Sequence, residues 1–329
     1  MTVQSLTRAS PARPDQAASV VVLSSIARFI DIFGDPWSVL LVRDVYLGVT
    51  RFEDFQKNLG ITRQTLSNRL QTFQRHGILV KVPYQDRPAR YEYRLTEKGR
   101  ALADFAMMIW VWQNRWAGPH SLLPRILHHR SCGYFLVPQM VCAECRSPLE
   151  LADISVEAGP GRIEAPHLTG RGRRWAALEA RRDGTTSQNL LKGTYVIGDR
   201  WSNLILASVL LGIRSFDAMV SVLGISTNIL SHRLKVCVEV GLLAEPTYNA
   251  EARAYDYGLT RMSRELLPLF LSISEWSDKW LRPEGVARPV WRHDLCGQRL
   301  TPLVTGRCCG QPVRLSDVRF QPSPPPHRT

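Results

Sequence analysis

Acidic side chains are scarce in this sequence: 29 Asp and Glu stand against 42 Lys and Arg, a formal net charge of +13. A surplus of that size favours polyanionic partners, either nucleic acid or an anionic membrane surface. Long apolar runs are missing too. The longest, Leu204 to Ile213 and Ala106 to Trp112, are about half or less of the roughly 20 residues a spanning helix needs, so no membrane segment is expected. The patch Val20 to Leu23, preceded by Asp15, lacks the length and cleavage pattern of a secretory signal, and a cytoplasmic chain is expected. Cysteine is sparse. Seven Cys, an odd number, in an unsecreted chain suggest reduced thiols or metal ligands more than a disulfide framework. A Gly-rich phosphate loop, a nucleophile elbow and a paired-carboxylate signature are all absent, so no enzyme is expected.

What is present looks globular. Hydrophobic residues make up 44% and charged residues 22% of 329 residues, enough for two or three domains with cores of their own. The halves repeat. Adding 164 to a residue number carries Gly34, Asp35, Trp37 and Ser38 onto Gly198, Asp199, Trp201 and Ser202 without a gap. The same offset carries Gly60, Leu66, Ser67, Arg69, Leu70 and Gly77 onto Gly224, Leu230, Ser231, Arg233, Leu234 and Gly241. It reaches Trp112 and Trp116 (Trp276, Trp280), and then His129, Cys132 and Cys145 (His293, Cys296, Cys309). A period this long marks a duplicated domain rather than a solenoid.

Within a copy, Trp37, Leu40, Leu41 and Val45 recur at helical spacing to Gly48, and Phe52, Phe55 and Leu59 mark a short helix ending at Gly60. Thr62 stands as an N-cap for a helix running to about Arg75, with Leu66, Leu70 and Phe73 on its buried face. Two helices joined by a tight turn at Gly60 read as a helix-turn-helix. Past Gly77 the period changes to two: Ile78 to Pro83 and Arg90 to Leu95 are strand-like, with a tip over 84–89, which makes a wing. Leu102, Phe105, Ile109, Trp112 and Trp116, and their equivalents Leu266, Leu269, Ile273, Trp276 and Trp280, form a 3-4 seam suited to helix pairing between modules or chains. Packing only within the module is the alternative.

The runs IARFIDIFGDPW, RFEDFQKNLGITRQTLSNRLQTFQRHGIL and YQDRPARYEYRLTEKGRAL resemble the HxlR-type winged helix-turn-helix transcription regulators of bacteria and archaea. The second copy, from IGDRW to LTRMSREL, resembles them more loosely. The resemblance implies dimers built through the first and last helices, the second helix of the turn in the major groove, and the wing on the backbone. Oxidant-sensing members often carry a Cys just before the first helix. Here Ser24 holds that place and no Cys precedes Cys132, so no such switch is expected.

The expected base-reading face of helix 62–75 is Arg63, Gln64, Ser67, Asn68 and Gln71, since Arg pairs with guanine and Asn or Gln with adenine through two hydrogen bonds each. Thr65 and Arg69 flank it as phosphate contacts, and Arg87 and Arg90 lie on the wing. The second copy offers Thr227, Asn228, Ser231, His232 and Arg233, with Arg253 on its wing, but Thr227 replaces Arg63, Glu251 replaces Arg87 and Ala254 replaces Arg90. Residues 19–117 carry a net +5 and residues 183–281 a net −1, so double-stranded DNA should bind the first copy more strongly. The chain is therefore expected to be a sequence-specific DNA-binding regulator, acting as a homodimer or an intramolecular pseudo-dimer. The alternative is a winged-helix protein-interaction module.

Behind the first winged helix, His129-x2-Cys132-x9-Cys142-x2-Cys145 has the spacing of a small ribbon on tetrahedral Zn²⁺, with His128 able to replace His129. Free structural thiols are the other reading. In the second copy His293, Cys296, Cys308 and Cys309 make a poorer set, because Gly306 stands where Cys142 would and two cysteines are adjacent. Cys237 is expected to be a buried thiol. The fold class is thus mainly α (α+β): two tandem winged helix-turn-helix domains, each followed by a Cys/His ribbon-like segment. The expected boundaries are a loose N-terminus 1–18, copy one 19–117, ribbon 118–156, basic linker 157–189, copy two 190–281, ribbon 282–320 and a Pro-rich tail 321–329.

Overall fold

The computed structural model describes residues 16–116, 126–167 and 198–321. The first repeat opens with α1 (Gln16–Phe33), an 18-residue helix whose apolar residues are nearly all buried. It is followed by α2 (Pro36–Tyr46), α3 (Phe52–Leu59), α4 (Arg63–Arg75), the wing strands β1 (Leu79–Gln85) and β2 (Arg90–Leu95), a short α5 (Glu97–Arg100) and α6 (Ala103–Trp116). The second repeat matches with α7 (Arg200–Leu210), α8 (Phe216–Leu223), α9 (Thr227–Glu239), β6 (Thr247–Asn249), β7 (Ala254–Asp256), α10 (Arg261–Arg264) and α11 (Leu267–Trp280). Between and after these lie β3 (Ile126–His129), β4 (Pro138–Cys142) and β5 (Ile154–Ala158), then β8 (Pro289–His293), β9 (Gln298–Arg299), β10 (Pro302–Gly306) and β11 (Val318–Gln321).

Local chemistry sets the turns. Asp35 caps α2 by accepting from the backbone N–H groups of Trp37 and Ser38 at 3.1 Å, and Asp199 caps α7 through Ser202 N–H at 2.8 Å. Gly60 and Gly224 sit at φ 61° and 60°, the left-handed caps that let each helix-turn-helix bend sharply. Thr62 accepts from Thr65 N–H at 3.2 Å and starts α4.

The two repeats share one core. By length and composition α1 could cross a membrane, but 72% of it is buried, and it packs on α7 and α11 of the second repeat. Phe29 and Phe33 meet the Trp276 ring edge-on at 5.6 and 5.8 Å. The 3-4 seams pair α6 with α11 inside the chain. Trp112 Nε1 donates to Met262 O at 2.8 Å and Trp276 Nε1 to Lys98 O at 3.1 Å, so each bond is the other's copy at the offset of 164. Asp31 and Arg200 add a cross-repeat ion pair at 2.7 Å.

The ribbons are exchanged. β4 pairs antiparallel with its own copy β10, centred on Met140 opposite Val304; β3 pairs with β11 and β5 with β8. All three ladders obey one approximate two-fold axis, and every strand of the first repeat's ribbon completes a strand of the second's.

Some boundaries move. Helix α1 starts at Gln16, before the expected limit at residue 19, and β11 runs to Gln321. Residues 157–167, expected in the linker, carry the end of β5 and pack on both repeats: Arg162 exchanges backbone bonds with Gly285 and Ala287, while the Ser24 hydroxyl donates to the Glu164 carbonyl. Residues 1–15, the basic run Arg171, Arg173 and Arg174, and the tail 322–329 lie outside the described residues.

Candidate nucleic-acid interface and metal centres

Burying Leu66, Leu70 and Phe73 on the core turns the opposite face of α4 outward, with Arg63, Gln64, Ser67 and Gln71 exposed and Thr65 and Asn68 half-buried. Gln64 Nε2 donates to Asn68 Oδ1 at 3.0 Å, so the two amides are held one turn apart. The Arg63 guanidinium lies 4.8 Å above the Phe52 ring, which orients it without neutralising it. At the wing tip Arg87 and Arg90 are exposed. Two cations escaped the sequence reading: Arg51 sits 4.7 Å over the Tyr84 ring and Lys81 4.0 Å over Tyr91. With Arg63 and Arg90 they line one polar cleft between α3, the start of α4 and the wing. The readable signal was the alternation of basic and aromatic residues along the wing strands.

One expected DNA contact is corrected in each repeat. Arg69, only 17% exposed, pairs with Asp35 at 3.0 Å, and Arg233, 16% exposed, pairs with Asp199 at 3.1 Å. Each guanidinium ties the helix after the turn to the carboxylate that caps the helix before it.

The second repeat keeps the scaffold and loses the cations. Thr227, Asn228, Ser231 and His232 are exposed on α9 and Arg253 is exposed at the tip, but Ser215, Thr227, Glu245 and Ala254 stand where Arg51, Arg63, Lys81 and Arg90 line the first cleft. Its strands shorten to three residues each, and Tyr248 and Tyr255 pack on one another at 5.4 Å.

A shallow apolar cleft, open at its mouth, lies between α2, α6 and the β3–β11 ribbon, lined by Tyr46, Phe105, Trp110 and Phe320 among others. In the second repeat the matching groove of Leu210, Phe270 and Trp291 holds Val22 and Ile26 of α1. Residues 180–197, the sequence equivalent of α1, lie outside the described residues.

Behind the winged helices, six of the seven cysteines and two histidines form two clusters. The grouping differs from the sequence expectation: His129 and Cys132 meet Cys308 and Cys309, while Cys142 and Cys145 meet His293 and Cys296. The expected quartets are split because the ribbons pair across the two-fold. His129 Nδ1 lies 3.6, 3.5 and 3.3 Å from the sulfurs of Cys132, Cys308 and Cys309, and the last two sulfurs are 3.8 Å apart. In the other cluster His293 Nδ1 lies 3.3 Å from both Cys145 and Cys296, and Cys142 Sγ is 4.0 Å from Cys296 Sγ. Tetrahedral Zn²⁺ with bonds near 2.3 Å to sulfur and 2.0 Å to nitrogen demands edges of about 3.5 Å (N to S) and about 3.8 Å (S to S). The clusters have those edges, and the described cysteines form no disulfide.

Both histidines are fully buried with Nε2 unpartnered, so the polar interactions of each ring run through Nδ1. His128 instead packs on Phe135 at 5.0 Å. Hydrogen bonds with the backbone and side chain of Ser147 draw the Cys145 thiol down to about 6, whereas burial pushes Cys308 up to about 12. Cys237 is buried apart from the clusters, and burial pushes its thiol up to about 12.

The family model for HxlR-like helix-turn-helix domains matches this chain twice, at residues 32–121 and 196–285. The uncharacterized HTH-type transcriptional regulator Rv3095 of Mycobacterium tuberculosis is 35% identical over 137 residues, 42% of this chain and 87% of that protein. YvaP of Bacillus subtilis, also an uncharacterized HTH-type transcriptional regulator, is 32% identical over 94 residues, 28% of this chain and 87% of its own length. Among solved structures, the candidate transcription factor PA1374 of Pseudomonas aeruginosa is 32% identical over 42% of this chain and 94% of that one, with a TM-score of 0.32. Each is similar to less than half of this chain. None of these names describes an enzyme.

Proposed function

Because this chain belongs to the HxlR-like helix-turn-helix family, whose matched relatives are named as transcription regulators, we propose that it is a sequence-specific DNA-binding regulator that reads chiefly through its first repeat. Helix α4 enters the major groove with Arg63, Gln64, Ser67, Asn68 and Gln71 at the base edges, Thr65 at the flank, and Arg87 and Arg90 on the backbone. The observation that carries this reading is the cationic cleft of Arg51, Arg63, Lys81 and Arg90 beside that face. The second repeat is a weak reader through Thr227, Asn228, Ser231, His232 and Arg253, or a surface for a protein partner; the acidic Glu245 and Glu251 on its wing favour the second role. The two-fold within one chain supports an intramolecular pseudo-dimer working in the cytoplasm, with half-sites about 34 Å apart. Each Cys/His cluster holds a Zn²⁺ that is structural, since four protein ligands leave no open position for catalysis.

A mobility-shift titration at several salt concentrations tests the asymmetry. Arg63→Ala with Arg87→Ala abolishes sequence-specific binding, and Arg87→Ala alone flattens the salt dependence by about 0.9 in log–log slope for the phosphate no longer neutralised. His232→Ala with Arg253→Ala only weakens binding. Equal losses from the two pairs overturn the assignment of the first repeat as the main reader.

A further inference from the structure

The two clusters are unusual in how their ligands are distributed along the chain. Each takes one His and one Cys from an H-x2-C turn of one repeat and two sulfurs from the other repeat, and the two are related by the same axis as β4 and β10. The copies are not chemically identical, since the offset of 164 carries Cys142 onto Gly306. A Cβ built on Gly306 would stand 2.9 Å from both Cys308 Sγ and Leu136 Cδ1 and 3.4 Å from His129 Nδ1. The Cys308 sulfur and Leu136 thus share the space that a side chain at residue 306 would need, and Cys308 reaches the same His-and-three-sulfur set from two residues further along.

We propose that the two ions are staples between the repeats: one Zn²⁺ is held by His129, Cys132, Cys308 and Cys309, the other by Cys142, Cys145, His293 and Cys296, with Cys308 replacing the cysteine that Gly306 lacks. This rests on the reading of the clusters as zinc sites and adds which ligands share an ion. Neither repeat then closes a metal site alone, and the spacing between the two helix-turn-helix heads is fixed by two cross-links placed symmetrically about the axis. A within-repeat ribbon would leave that spacing to the shared core of α1, α6, α7 and α11. Here, releasing one ion opens a contact on both repeats at once.

The wild-type chain can report the pairing. As purified it carries two Zn²⁺ by native mass spectrometry; a chain that carries none and takes up neither Zn²⁺ nor Co²⁺ overturns the zinc reading and the staples together. Partial removal with a chelator gives a one-ion species, whose free thiols are capped with iodoacetamide before the intact triply labelled chain is fragmented. Stapling protects Cys132, Cys308 and Cys309 together, or Cys142, Cys145 and Cys296 together, with Cys237 buried in either case. Protection of Cys132, Cys142 and Cys145 as a set, with two ions still bound in the starting protein, overturns the staples and leaves the zinc reading intact. Cys308→Ser, which removes that sulfur alone, lowers the metal content from two ions to one; retention of two ions with wild-type resistance to the chelator overturns the role given to Cys308.

Discussion

Removing Arg69 separates a structural role from a DNA-contacting one. Asp35 does two jobs: its carboxylate accepts from Trp37 N–H, Ser38 N–H and the Ser38 hydroxyl to start α2, and it receives Arg69 from α4 at 3.0 Å. In Arg69→Ala the cap survives and the charge partner is removed. A hydrogen bond to a charged group contributes about 1.5–3 kcal/mol. With both side chains still 17% exposed, solvent takes over part of the stabilisation, so a loss of about 1–2 kcal/mol is expected. Reduced packing of the arginine stem acts in the same direction. At about 2–4 °C per kcal/mol, the melting temperature falls by about 2–8 °C in differential scanning calorimetry. Affinity for DNA, measured well below the transition, changes by less than about twofold. Arg63→Ala gives the opposite pattern: stability within about 0.5 kcal/mol of wild type, because its exposed guanidinium lies only over Phe52, and a loss of DNA affinity of about tenfold or more. A double-mutant cycle with Asp35→Asn isolates a coupling of about 1 kcal/mol. An Arg69→Ala protein that melts like wild type and loses DNA affinity as Arg63→Ala does would refute the reasoning, and Arg69 would then be a phosphate contact.

Two further outcomes follow from asymmetries in the core. Trp116 Nε1 donates to Glu265 at 2.8 Å, but the buried Trp280 Nε1 has no partner, because Ala101 stands where Glu265 stands in the other repeat. Ala101→Gln supplies an acceptor without placing a second carboxylate one turn from Glu97, and should raise stability by about 1 kcal/mol, read as a shift in the denaturation midpoint; no shift would show that the indole is satisfied by solvent. Asp104 titrates above the usual carboxylate range because burial disfavours its charged form. The folded state then binds its proton more tightly than the unfolded state, so its contribution falls as pH rises from the unfolded value near 3.8 to the raised folded value and stays unfavourable above it. Asp104→Asn should therefore be more stable than wild type at pH 7 and level with it below that window, and equal stability at both pH values would contradict the burial argument.

How much of this was legible in the sequence depends on the reach of each signal. Helices α2, α3 and α4, the Thr62 cap, the Gly60 turn, the wing strands and the offset of 164 all follow from patterns within about fifteen residues or from matching one stretch with another. Helix α1 is legible in its second half, Ile26 to Phe33 of the run IARFIDIFGDPW, whereas its first half shows only Val20 to Leu23 as a continuous apolar run, although most of its 18 residues face a core assembled from both repeats. Helical position puts Arg69 at the flank of the reading face, where a phosphate contact and an ion pair within the fold are equally open to it, and the same holds for its copy Arg233. What removes them is an Asp more than thirty residues earlier, a tertiary fact.

The pairing of the Cys/His clusters marks the sharper limit. Residue type and spacing in H-x2-C and C-x2-C are local, and both memberships satisfy them equally: either grouping gives one His and three Cys per cluster. What decides between them is where β4 finds its partner. Residues 126–158 hold three short strands that do not pair with one another, so they must find ladders elsewhere to satisfy their backbone groups. In a duplicated chain the other copy offers matching edges. Once β4 lies antiparallel to β10 about the Met140–Val304 pair, the start of one strand is brought beside the end of the other, and with it the H-x2-C turn of one repeat beside the cysteines of its partner. In the second copy Gly306 stands at the position of Cys142, and a Cβ there would meet Cys308 Sγ and Leu136 Cδ1 at 2.9 Å each, so the glycine leaves room for Cys308 to join the cluster from two residues further along.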